Sequence, residues 1–236
     1  MSLIADMVAA LMRYHTLPHH TDAALADALA QIQAWQRARI HLANAELFTH
    51  KKTAPLATYL IDRIYSAATF EVLAAQLLTA GQNALNGSGK LEKLVPTKTL
   101  TAGLLGVSAT ITAIELDLQL AQRYLADFRD KPINDATMSA LYQAANAKDA
   151  RIAQIREIEQ VCQVSYQEFD SFLLRNAFKL AKSTAYANGY QPLYDFISEG
   201  LDAIHAIDKI ERFTTPFVAT ELEIIEKIHA GKPIFD

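Results

Sequence analysis

The stretch Thr99–Phe128, TLTAGLLGVSATITAIELDLQLAQRYLADF, carries its apolar residues in two phases. Leu100, Leu104, Val107, Ile111, Ile114, Leu118 and Leu125 share one face of a 3.6-residue helix, while Leu105, Leu116 and Leu120 lie roughly opposite. A helix that is apolar on both sides needs neighbours on both sides. This segment is therefore expected to be the buried central rod, near residues 99–129, of an all-α bundle. Its uncharged part, Thr99–Ile114, lies between Lys98 and Glu115 and falls short of the ~20 residues that span a bilayer, so it reads as core and no membrane is expected.

Upstream of the rod, Leu3, Ile4, Met7, Val8 and Leu11 form one helical stripe that ends before Leu17-Pro18. Thr21 or Asp22 then caps a long helix expected to reach about His50. Thr53 and Pro55 restart the chain, a further helix begins near Thr69, and Asn86-Gly87-Ser88-Gly89 is the clearest loop. Lys90–Val95 is expected to make one turn. Downstream, Asn134 or Asp135 caps a short helix to Asn146. Asp149 opens a periodic stretch that a single helix would carry to about Ala187, with Gly189 as its stop. Two closing helices, Pro192–Phe213 and Pro216–His229, each place a proline in the first turn, and Gly231 ends the fold.

The expectation is one helical domain over 1–236 with about eight or nine helices, residues 1–21 docking as an N-terminal helix and loop onto a bundle at 22–230. A net charge of -4 lacks the positive excess that duplex DNA demands, so nucleic acid is not expected as a partner. One cysteine, Cys162, cannot form an internal disulfide, and the first residues lack a basic, cleavable leader. Both point to a soluble cytoplasmic protein.

The segment Tyr59-Leu60-Ile61-Asp62-Arg63-Ile64-Tyr65, followed by Phe70, resembles the signature of the uncharacterised bacterial family named FFLEELY after its own motif. Arg63 replaces an acidic residue there, and Ser66-Ala67 stands in place of a Gly-Pro turn. Similar short matches occur at Arg39-Ile40, Ala187-Asn188-Gly189-Tyr190, Leu193-Tyr194-Asp195-Phe196 and Glu199-Gly200. The resemblance implies kinship without an activity, so it transfers no catalytic residue.

Three constellations bear on chemistry. Asp202 with His205, and Glu226 with His229, have the spacing of bundle metal ligands, yet the carboxylates fall off their apolar stripes and read as a solvated face. His15, His19 and His20 surround Pro18 without a nearby cysteine or a well-spaced carboxylate to complete a ligand set, so no metal or cofactor is expected. Gln36, Arg39, Glu46 and His50 intrude on the stripe of the second helix, and a buried Arg39 requires a carboxylate from Glu46, Glu115 or Glu221. Cys162 on an apolar stripe reads as a buried, inert thiol.

These residues point first to a non-enzymatic interaction or adaptor-type protein whose partner is another protein or a second copy of the chain. The alternative is a small-molecule or cofactor-binding bundle, an enzyme among its forms, with a polar pocket around Arg39, Glu46 and Glu115. Arg39, Glu46, His50, Glu115 and Glu221 are its candidate ligand-binding residues, and no catalytic residue is assigned.

Overall fold

The computed structural model describes residues 2–87, 97–169, 176 and 178–235, and every element among them is helical. α1 (Leu3–His15) leads through a 3₁₀ turn (Pro18–His20) into α2 (Ala23–Ala43), capped by Asp22, whose carboxylate accepts from the Leu25 amide at 3.1 Å. α3 (Ala45–Thr49) and α4 (Ala54–Thr58) are short, and α4 runs into a π-helical turn, Tyr59–Ile64. Then follow α5 (Ala67–Asn86), α6 (Thr97–Asp127), α7 (Asp135–Ala145), α8 (Lys148–Phe169), α9 (Lys182–Ala187), α10 (Gln191–Ala206) and α11 (Glu211–His229). Eight of these α-helices have eleven residues or more, and the α4–π segment adds another long helical run. The turn expected at Lys90–Val95 lies outside the described residues.

Three boundaries differ from the sequence reading, each for a physical reason. The second helix does not reach His50, because Asn44 leaves helical geometry and its side-chain amide donates to the Ile40 carbonyl and to Glu221. The long helix opened near Asp149 does not run unbroken to Ala187. A turn at Ala181 precedes α9, and residues 170–175 lie outside the description. Pro216 sits inside α11 and not at its start, since the break falls earlier, at the buried and extended Ile207. The stop signals hold: Gly189 and Gly231 take positive φ, +80° and +68°, where a side chain would be strained.

α6 is the rod of the fold, packed against α1, α2, α7 and α8. It also has the length and composition of a membrane-crossing helix. Its C-terminal half is buried at Ile111, Ile114, Leu118, Leu120 and Ala121, but Leu100, Leu104 and Leu105 in the N-terminal half are only half-buried. The two phases of apolar residues thus meet neighbours along part of the helix only. Core side chains form two clusters. One joins α1, α2, α5, α6, α7 and the C-terminal part of α11, and the other joins the end of α2, α3, α4, the π turn, α8, α10 and the N-terminal part of α11.

Candidate functional site

On both α2 and α11 a band of polar residues falls between the two apolar clusters. Arg39 is buried and presents both terminal nitrogens to Glu221, at 3.2 and 2.7 Å, while its Nε donates to Gln36 at 3.3 Å. Asn44 donates to the same carboxylate at 2.9 Å, and the Gln36 amide donates to the Tyr142 hydroxyl. The Arg151 guanidinium lies 5.2 Å from the Tyr142 ring centre and donates to Asp117 at 2.9 Å and to Gln154 at 3.2 Å. The Tyr65 hydroxyl donates to the second Asp117 oxygen. Burial alone would lower the pKa of both arginines. Glu221 reverses this at Arg39, and Tyr142 with Asp117 reverses it at Arg151, so both guanidiniums stay charged. Burial first, then Asp117, holds the Tyr65 phenol well above its ordinary pKa.

The fork of Arg39 is therefore filled from within the protein. Of the residues nominated with it, only Glu221 meets it. Glu115 faces the other way and pairs with Arg13 at 2.8 Å. Glu46 and His50 are exposed and line a surface groove of about 780 Å³ with Leu42, Asn44, Arg212 and Pro216. A polar pocket around Arg39, Glu46 and Glu115 does not assemble, because the break at Asn44 turns Glu46 outward and α6 presents Glu115 to α1. Asp117, Arg151, Tyr65 and Tyr142 were missed from sequence. Asp117 carried a usable sign, a carboxylate between Leu116 and Leu118 in a helix apolar on both sides, which must be buried and paired.

The Asp202/His205 pair and Glu226 are exposed, and Glu226 pairs with Lys148 at 2.7 Å. The histidines around Pro18 behave differently. His15 and His20 converge on Glu71 of α5.

A markedly apolar cavity lies elsewhere. Between the N-terminal half of α6 and α4, the π turn, α5, α8 and α10 is a cavity of about 500 Å³, partly open to solvent. Its wall is formed by Leu73, Leu77, Val107, Val161, Phe169, Phe196 and Leu201, among other apolar residues. Few polar groups reach it. Thr110 donates to the Gly106 carbonyl, Tyr59 donates to the Phe196 carbonyl at 3.1 Å, and burial pushes the Cys162 thiol up to about 12, which keeps it protonated. Neither hydroxyl nor thiol is paired with a base in these contacts.

Two glycines shape this wall. A Cβ on Gly106 would meet no atom within 4 Å, so the missing side chain leaves open space. A Cβ on Gly200 would stand 2.5–2.9 Å from the Tyr59 ring and hydroxyl, so its absence lets Tyr59 lie against α10. Beside it, Arg63 pairs with Glu199 at 2.6 Å. Two of the sequence segments that carried the family resemblance, Tyr59–Tyr65 and Glu199-Gly200, thus pack against each other at the cavity edge.

No curated protein and no solved structure matches the chain. A family model does, over residues 15–234. The chain belongs to the family described as a domain of unknown function, DUF8198.

Proposed function

We propose that this protein binds a small, largely hydrocarbon ligand, of the fatty-acyl or isoprenoid-tail class, in the cavity beside α6. One observation carries the reading: a cavity of about 500 Å³ with almost wholly apolar walls, opened in part by the helix-interior Gly106. That volume is about three times the ~150 Å³ apolar cavity that stays dry and accepts benzene, which suits a chain of roughly fifteen carbons. With no charged side chain among the described lining residues, the enclosed part of the ligand is uncharged and any polar head stays at the mouth. At about 0.8 kcal/mol per methylene, a dozen buried methylenes contribute roughly 10 kcal/mol. An association cost of ~4 kcal/mol leaves about 6 kcal/mol, a dissociation constant of order tens of micromolar.

The interaction or adaptor reading has less support. The large exposed apolar side chains, Met12, Leu42, Val72, Leu85, Leu180 and Phe235, are spread over several elements, and single exposed apolar residues are ordinary. The reading keeps a soluble, cytoplasmic setting. Two carboxylates of α6, Glu115 and Asp117, pair with Arg13 and Arg151, and its neighbours cover its C-terminal half. The FFLEELY likeness of Tyr59–Tyr65 fits the same proposal, because Tyr59, Leu60 and Ile64 are cavity wall.

The test is displacement of an environment-sensitive fluorescent probe by a long-chain fatty acid, in the wild type and in Gly106→Leu. Saturable displacement by the wild type, weakened at least tenfold in the folded variant, is expected. Equal displacement by both proteins would place the binding elsewhere.

A further inference from the structure

A second site stands apart from this cavity, where the chain doubles back after α1. Pro18 starts the 3₁₀ turn, with the His20 amide bonded to the Leu17 carbonyl, and the turn swings His20 back toward His15 in the last turn of α1. α5 brings Glu71 to the same spot. His15 Nδ1 lies 3.9 Å from one Glu71 oxygen, and His20 Nδ1 lies 3.3 Å from the other. Atoms of all three groups fall within 4.8 Å of one another. A tetrahedral ion with bonds near 2.0–2.1 Å sets its ligand atoms roughly 3.3–3.5 Å apart, so side-chain adjustments of about an ångström close the set.

Outer contacts of the kind metal ligands use are already in place. The Nε2 of His20 lies 3.0 Å from the Tyr14 carbonyl. With Nε2 as the protonated nitrogen, it donates there and leaves Nδ1 with its lone pair toward the other ligands. The Tyr14 hydroxyl donates to Glu71 Oε2 at 2.9 Å and fixes the carboxylate. Tyr14 is itself fully buried and packed edge-on against Phe70, 4.8 Å between ring centres, so the orienting groups sit on a rigid base. The donor side chains remain partly open to water, Glu71 at 46% exposure, which provides an entry path.

We propose that His15, His20 and Glu71 bind one divalent first-row transition-metal ion of the zinc type, with a water completing the coordination. Two imidazoles and a carboxylate without thiolate are a borderline donor set that suits zinc and excludes preference for calcium or magnesium. The ion would clip α1 and the 3₁₀ turn to α5. The proposal does not depend on the apolar ligand.

Untagged protein, stripped with chelator, is titrated with zinc by calorimetry and with cobalt by visible absorption, alongside Glu71→Gln and His20→Ala. Glu71→Gln keeps an acceptor for the Tyr14 hydroxyl and so preserves the local packing. Expected are one ion per chain, a cobalt spectrum of low-coordinate type, a zinc-dependent rise in Tm, and affinity reduced at least tenfold in both variants. No binding by the wild type would overturn the proposal. So would unchanged affinity in Glu71→Gln, which would mark scattered surface histidines as the ligands.

Discussion

Single residues carry the sharpest energetic consequences. Glu221 is 2% exposed and is the only carboxylate on Arg39 among the described residues, so Glu221→Ala strands a buried guanidinium and should cost ~3–5 kcal/mol by denaturant unfolding. Joint replacement, Arg39→Met with Glu221→Leu, removes both charges and should recover most of that loss. Gly200→Ala forces a methyl into the Tyr59 ring and should cost ~1–3 kcal/mol in the same assay while weakening probe binding, because Tyr59 is cavity wall. Burial also sets a pH dependence. The Cys162 thiol and the Tyr59 and Tyr65 phenols are raised above their ordinary 9.0 and 10.0, so the unfolded chain ionises first as pH rises. Their contribution is complete below about pH 9 and is lost progressively above it. Tm should fall from pH 9 upward, less steeply in Tyr59→Phe, and Cys162 should resist alkylation at pH 8 until the chain unfolds.

At the scale of elements, α6 shows what was legible in the sequence and what was not. Its helical state, its limits and its place as the rod follow from periodicity, and Asp22, Asn134, Gly189 and Gly231 punctuate the chain as their chemistry requires. Its half-covered N-terminal end did not follow, because periodicity reports an apolar face without saying whether a neighbour fills the space beside it. Gly103 and Gly106 were the available sign: helix-interior glycines at about 1 kcal/mol each against alanine, in the long uncharged stretch Thr99–Ile114, with ordinary φ. The His15–His20–Glu71 group was half legible. The histidines are clustered in sequence, but Glu71 is brought in only by the packing of α5 on α1. The Arg39 partner was narrowed to three carboxylates and could go no further without the α2–α11 geometry. Gly106→Ala should stabilise the fold by roughly 0.5–1 kcal/mol, read by thermal unfolding, since its Cβ meets nothing.

In the whole molecule three arrangements divide the work. A buried polar band of Arg39, Glu221, Asp117 and Arg151 sets the register between two apolar clusters. The histidine turn holds His15 and His20 against Glu71 of α5, and the cavity beside the half-buried end of α6 is the place proposed for a ligand. The central claim is that this cavity is a binding site and not merely loose packing. Native mass spectrometry of the untagged protein, before and after incubation with a long-chain fatty acid at roughly ten times the expected dissociation constant, tests it most directly. The account predicts one fatty acid per 26.1 kDa chain, absent or sharply reduced in Gly106→Leu. A bare chain in both proteins, or equal occupancy in both, would contradict it.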